Sequence, residues 1–73
     1  SSNYKGIWNE FCQKKGLSEP NYKIIEINGL EHQKVYKVEL LINNSLFVGD
    51  ATKLRKSEEK AAKKALINFD LIK

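Results

Sequence analysis

Cysteine and proline occur once each in this 73-residue sequence, and methionine does not occur at all. A single cysteine, Cys12, excludes an intramolecular disulfide, and no grouping of cysteine with histidine has the spacing of a metal site. The sequence therefore predicts no metal and no other cofactor. The lack of a disulfide framework favours a reducing compartment, which means the cytoplasm or the nucleus.

Long hydrophobic runs are also missing. No apolar run exceeds four residues, whereas a helix needs about 20 to cross a bilayer, so no membrane partner is expected. The sequence likewise lacks a nucleophile with a neighbouring base, a carboxylate pair and a phosphate-binding loop. The chain by itself is therefore predicted not to be an enzyme, although a parent protein that contained it could be one.

Positive charge is abundant, and it is concentrated near the C-terminal end. Residues 51–73 hold seven basic and three acidic side chains, while residues 1–50 hold six of each, so the net charge of +4 comes from this segment alone. Lys53, Arg55 and Lys56 cluster at the start of a predicted helix, where free backbone N–H groups already favour anions. This pattern predicts a binding site for a polyanion, nucleic acid above all.

Apolar residues recur at helical spacing near both ends of the chain and alternate in the middle. Asn3 and Gly16 are typical of a helix start and stop, Asn43 and Asn44 of a hairpin turn, and Thr52 of a second helix start. The order predicts an α-β-β-β-α fold of the α+β class, in which a three-stranded antiparallel sheet carries both helices on one face. The predicted helices cover residues 3–15 and 52–71, and the predicted strands cover residues 22–27, 35–42 and 45–49.

Three short stretches, taken together, resemble the double-stranded RNA-binding domain. They are WNEFCQKKGL at residues 8–17, GLEH at residues 29–32 and KLRKSEEKAA at residues 53–62. The first is similar to the family's first-helix pattern, the second to its glycine- and histidine-containing loop, and the third to the lysine-rich start of its last helix. The resemblance implies a single domain over residues 3–73.

The resemblance also implies a ligand and three contact regions. This family binds duplex RNA across two successive minor grooves and the major groove between them, by shape more than by sequence. Carboxylate, amide and imidazole groups can hydrogen-bond the 2′-hydroxyls of the minor grooves, and cations can meet the phosphates. The residues that match are Glu10 and Gln13 on the first helix, Gly29, Leu30 and His32 in the loop, and Lys53, Arg55 and Lys56 at the second helix.

The sequence departs from the family pattern at a few of these positions. Leu54 and Glu58 stand where the family has lysines, so Arg55 alone keeps its position in the basic motif. Leu30 replaces the loop proline, and Gly6 replaces a side chain one turn before Glu10. The affinity for duplex RNA is therefore expected to be lower than that of a domain with the full basic cluster.

Two alternatives stay open from the sequence. The domain could be a degenerate member of the family that serves protein contacts or dimerisation, with Leu41 and Leu54 as contact points if they are exposed. It could also be an accessory domain that delivers duplex RNA to a nuclease or helicase in a larger protein. The expected partner is thus double-stranded RNA, and the two alternatives add a protein partner or the domains of a parent enzyme.

Overall fold

The first helix has the ends that the sequence predicts. The computed structural model describes residues 3–73, and α1 spans Tyr4–Lys15. The Asn3 side chain accepts a hydrogen bond from the Gly6 N–H at 3.2 Å and so caps the first turn. Gly16 takes a left-handed conformation with φ of 68°, and its N–H and that of Leu17 donate to the carbonyls of Gln13 and Cys12, which ends the helix.

Three antiparallel strands follow, in the spatial order β1-β2-β3. β1 covers Asn21–Asn28, β2 covers Val35–Ile42 and β3 covers Ser45–Ala51. Asn43 and Asn44 join β2 to β3 with φ of 50° and 67°, as the two-residue hairpin prediction requires. β2 has its predicted bounds, whereas β1 is one residue longer at each end and β3 continues two residues past Gly49.

The second helix, α2, spans Leu54–Asn68, and both of its predicted ends were wrong. Lys53 rather than Thr52 is the N-cap, because its backbone is still extended and its carbonyl accepts the first helical hydrogen bond. The helix stops before Leu71 because Asp70 adopts a φ of 59°. The Asp70 and Leu71 N–H groups then donate back to the carbonyls of Ile67 and Leu66.

The two helices form one layer over the sheet. α2 packs across β3 and β2, and α1 packs against α2. Gly49 allows this close approach, because a Cβ there would lie 2.6 Å from the Ala61 backbone nitrogen and closer still to the Ser57 carbonyl oxygen. The core cluster consists of Trp8, Cys12, Leu40, Ala61, Ala62, Ala65 and Leu66. Among residues 3–73, neither helix is long and apolar enough to cross a membrane.

Candidate nucleic-acid interface

The start of α2 presents free backbone donors and three cations. Within residues 3–73, no side chain caps this end, and the first intrahelical bond runs from the Ser57 N–H to the Lys53 carbonyl at 3.0 Å. The N–H groups of residues 54–56 therefore have no intrahelical acceptor. Lys53, Arg55 and Lys56 are all exposed around them. The helix dipole and the three side chains all contribute positive potential at the N-terminus of α2, so this position is suited to binding an anion.

Ser57 holds this helix start against the sheet. Its side chain is fully buried, and its hydroxyl lies 2.9 Å from the Tyr36 carbonyl oxygen and 3.1 Å from that of Lys53. Tyr36 is the second residue of β2, close to the end of the β1–β2 loop. Sequence reasoning missed this role, although the spacing of Ser57, Ala61 and Ala65 put the serine on the buried face of the helix.

The β1–β2 loop is a tight turn with its side chains in solvent. The Gln33 N–H donates to the Leu30 carbonyl at 2.8 Å, so Glu31 and His32 occupy the middle of a four-residue turn. Gly29 has a φ of 96°, and a Cβ there would collide with the Gln33 carbonyl oxygen. Leu30 is 67% exposed and His32 is also exposed. The predicted loop residues therefore share one accessible turn at the same end of the sheet as the Ser57–Tyr36 contact.

Glu10 and Gln13 are both exposed and lie about one turn apart on α1. The opposite side of this helix is buried through Trp8 and Cys12. Trp8 also donates from its indole nitrogen to the Ala62 carbonyl at 3.1 Å, which fixes the rotation of α1 relative to α2. The two polar side chains therefore project away from the core, as their helical positions predict.

Glu59 connects the first turns of the two helices. Its carboxylate oxygens accept the backbone N–H groups of Tyr4 and Lys5 at 2.9 and 2.8 Å. Beside it, Arg55 lines a shallow polar groove together with the first turns of α1. The groove residues are Asn3, Lys5, Gly6, Asn9, Arg55 and Glu59. The basic end of α2 and the first helix therefore form one continuous surface.

The lysines farther along α2 contact α1 and β3. The Lys63 ammonium group lies 5.5 Å from the centre of the Tyr4 ring, while Glu59, one turn earlier, is engaged with backbone N–H groups of α1. Lys60 and Lys64 donate to backbone carbonyls of β3, which are those of Asp50 and Val48.

Two buried groups between α1 and the sheet have raised pKa values. Burial raises the pKa of the Tyr22 hydroxyl, and the nearby Glu58 and Glu59 carboxylates raise it further. Burial also raises the pKa of the Cys12 thiol, with a smaller contribution from Glu19. A raised pKa keeps the thiol protonated and unreactive, so Cys12 acts as a small residue of the core.

Comparison with known proteins gives the class of the domain. A sequence model described as "Double-stranded RNA binding motif" matches residues 4–68. The chain therefore belongs to the double-stranded RNA binding motif family. It is an RNA-binding module without catalytic function of its own.

Two curated relatives are ribonucleases. The chain is 38% identical over 62 residues to Ribonuclease 3 of Buchnera aphidicola, a match that covers 82% of this chain and 27% of the relative. It is 36% identical over 64 residues to Ribonuclease 3 of Chlorobium chlorochromatii, which covers 88% of this chain and 26% of the relative. The chain thus spans about a quarter of the length of these relatives.

Solved structures share the fold. A structure of Arabidopsis HYL1 superposes with a TM-score of 0.83 at 21% identity and covers 94% of this chain and 99% of its own. A structure of both double-stranded RNA-binding domains of DRB4 gives a TM-score of 0.71 at 24% identity, over 96% of this chain and 46% of its own. At these identities the likeness concerns the fold, and it agrees with the predicted α-β-β-β-α order.

Proposed function

We propose that this module reads the A-form shape of duplex RNA through three contact regions. The regions bind 2′-hydroxyls in two successive minor grooves and phosphates across the major groove between them. The observation that carries the proposal is the uncapped start of α2, where free N–H groups and the side chains of Lys53, Arg55 and Lys56 surround one point. Such a point suits a phosphate oxygen and carries no sequence information.

The α1 region supplies the first minor-groove contact. Cations alone would favour the phosphates, whereas a minor groove lined with 2′-hydroxyls and base edges calls for acceptors. Glu10 is an acceptor, and Gln13 can both donate and accept. Both side chains are exposed, and their helix joins the basic end of α2 through the Glu59 contacts. Their distance from the phosphate site is therefore fixed by packing.

The β1–β2 loop supplies the second minor-groove contact. His32 can hydrogen-bond a 2′-hydroxyl, and the carbonyls near Gly29 and Leu30 are further acceptors. The 67% exposure of Leu30 leaves an apolar side chain at the tip of this loop, suited to contact with a sugar face. Because Ser57 ties α2 to Tyr36 just after the loop, the loop and the basic helix start are held at one end of the sheet.

A titration with duplex RNA and duplex DNA of equal length and salt tests this function. The proposal expects a clear preference for RNA, because both minor-groove regions contact groups that B-form DNA lacks or presents at another spacing. Converting Lys53, Arg55 and Lys56 together to alanine should weaken binding to both duplexes. Equal affinity for RNA and DNA would reduce the domain to a nonspecific polyanion binder and would contradict the proposal.

The relatives favour a second, wider proposal for the whole protein. Because the chain matches about a quarter of two Ribonuclease 3 proteins, we propose that it can serve as the duplex-binding part of a larger nuclease. Removing residues 3–73 from such a protein should raise the RNA concentration needed for half-maximal cleavage and leave the maximal rate nearly unchanged. A fall in the maximal rate alone would contradict a delivery role.

A further inference from the structure

The two edges of the sheet differ in how their backbone is covered. At the β3 edge, the Lys64 and Lys60 ammonium groups donate to the carbonyls of Val48 and Asp50 at 2.6 and 2.9 Å. At the β1 edge, no side chain within residues 3–73 hydrogen-bonds to the strand's backbone. An uncovered edge offers unpaired N–H and C=O groups to another strand, and proteins commonly cover or charge such edges.

The β1 edge is also apolar at its centre. Ile24 is 44% exposed, Ile25 is 41% exposed and Ile27 is 52% exposed. Lys23 and Glu26 flank Ile24 and Ile25 with opposite charges. Since β1 extends over eight residues, it is long enough to pair with another strand along its whole length.

A bulge in β1 gives the strand an unusual symmetry. Ile24 lies opposite Val38 while Glu26 lies opposite Lys37, so Ile25 is an extra residue in the strand. Side chains directly opposite one another share a face of the sheet, and a regular strand alternates faces at every residue. The extra residue shifts this alternation by one position. Residues on the two sides of the bulge therefore share a face when their numbers differ by an odd amount.

The face of each β1 side chain follows from its partner on β2. Tyr22 and Ile27 lie opposite Leu40 and Tyr36, on the face that carries the helices. Lys23 and Glu26 lie opposite Glu39 and Lys37, on the face without helices. Consider a two-fold axis that passes between Ile24 and Ile25, perpendicular to the sheet. It exchanges Tyr22 with Ile27 and Lys23 with Glu26, and exchanged residues must lie on the same face of the sheet. Both pairs meet this requirement.

We propose that two copies of this domain associate through antiparallel pairing of their β1 strands about this axis. The contact is isologous, as in most homodimers. Each Lys23 meets Glu26 of the other copy, and the isoleucines meet at the centre. Tyr22 faces Ile27 at both ends, so that the two sheets form one six-stranded sheet. The inference is independent of the RNA-binding role, since it uses none of the proposed contact residues.

Charge reversal across the proposed contact provides a direct test. Self-association is measured by sedimentation equilibrium without RNA, at protein concentrations from micromolar to millimolar. Wild type should show a reversible monomer–dimer equilibrium. Lys23→Glu creates two Glu–Glu contacts and Glu26→Lys creates two Lys–Lys contacts, so each variant alone should self-associate roughly tenfold more weakly. An equimolar mixture should restore the dimer, because the introduced glutamate then meets the introduced lysine in one pair and the native residues meet in the other.

Matched controls and a second variant keep the result decisive. Lys34→Glu and Glu31→Lys make the same charge changes in the β1–β2 loop and should leave self-association unchanged. If a charge variant lowers the melting temperature, Ile25→Glu provides an independent test at an exposed position and should also weaken self-association. A monomeric wild type, self-association that ignores these charges, a mixture that fails to restore dimers, or open-ended aggregation would each overturn the proposal.

Discussion

Glu10 is the residue at which shape recognition and simple electrostatics make opposite predictions. Replacing Glu10 with alanine raises the net charge from +4 to +5, so a purely electrostatic model expects tighter RNA binding. If Glu10 accepts a hydrogen bond from a 2′-hydroxyl, Glu10→Ala should instead weaken binding by roughly tenfold, in line with the loss of a charged hydrogen bond. A filter-binding or fluorescence titration at fixed salt measures the sign.

Glu19 provides the control for that experiment. It is an exposed acid in the connection between α1 and β1, so Glu19→Ala makes the same charge change away from the proposed contact regions. Binding by this variant should be unchanged or slightly tighter. If Glu10→Ala also tightens binding, Glu10 is a solvated surface residue and the α1 contact region is wrong.

Single residues with a strong backbone preference were predictable from the sequence. Asn3, Gly16 and the pair Asn43-Asn44 appear where predicted, because capping and positive φ depend on the residue itself and its immediate neighbours. Ser57 was not predictable in the same way. Its partner, the Tyr36 carbonyl, is 21 residues away, so its role exists only once β2 and α2 have packed together.

At the scale of elements, Glu59 links the first turns of the two helices. Its two oxygens each accept one backbone N–H of α1, whereas the amide of glutamine offers only one oxygen acceptor. Glu59→Gln should therefore leave one N–H of the first turn unpaired and lower the free energy of unfolding by about 1–3 kcal/mol. Chemical denaturation measures this change.

Glu58→Gln is the matched control, since it removes the same charge one position earlier. Glu58 contacts only the Lys5 ammonium group on α1, and both side chains are partly exposed. A partly exposed ion pair contributes about 1 kcal/mol or less, so this variant should lose less stability. Equal losses of unfolding free energy in the two variants would mean that the hydrogen bonds from Glu59 to the backbone N–H groups contribute no more than the Glu58–Lys5 ion pair.

The bounds of elements were less predictable where they depend on neighbouring elements. The apolar periodicity of α2 continued toward Leu71, but the left-handed backbone of Asp70 ends the helix at Asn68. The bulge at Ile25 is visible only from the pairing of β1 with β2. β2 and the hairpin were predicted correctly because alternation and turn chemistry act within one short segment.

For the whole molecule, the main question is how the domain meets the duplex. The contact residues predicted from the family resemblance remain a hypothesis, but the fold restricts how they can act together. Ser57 fixes the basic helix start over the end of β2 near the loop, and Glu59 fixes it to α1. Both links depend on packing between distant segments, and neither was anticipated from sequence patterns.

The salt dependence of RNA binding distinguishes an end-on approach of α2 from a side-on approach. If Arg55 and Lys56 each contact a phosphate, alanine at both positions should weaken binding to all duplex sequences about equally. It should also reduce the slope of log affinity against log salt by about two, or roughly one per contact. Lys63→Ala should change that slope far less, because Lys63 lies about 10 Å farther along the helix, which is close to the Debye length at 0.1 M salt. Its ammonium group is also turned toward the Tyr4 ring.

An effect of Lys63→Ala as large as that of an Arg55→Ala variant would show that α2 lies along the duplex. The end-on geometry would then be wrong even if RNA remained the ligand.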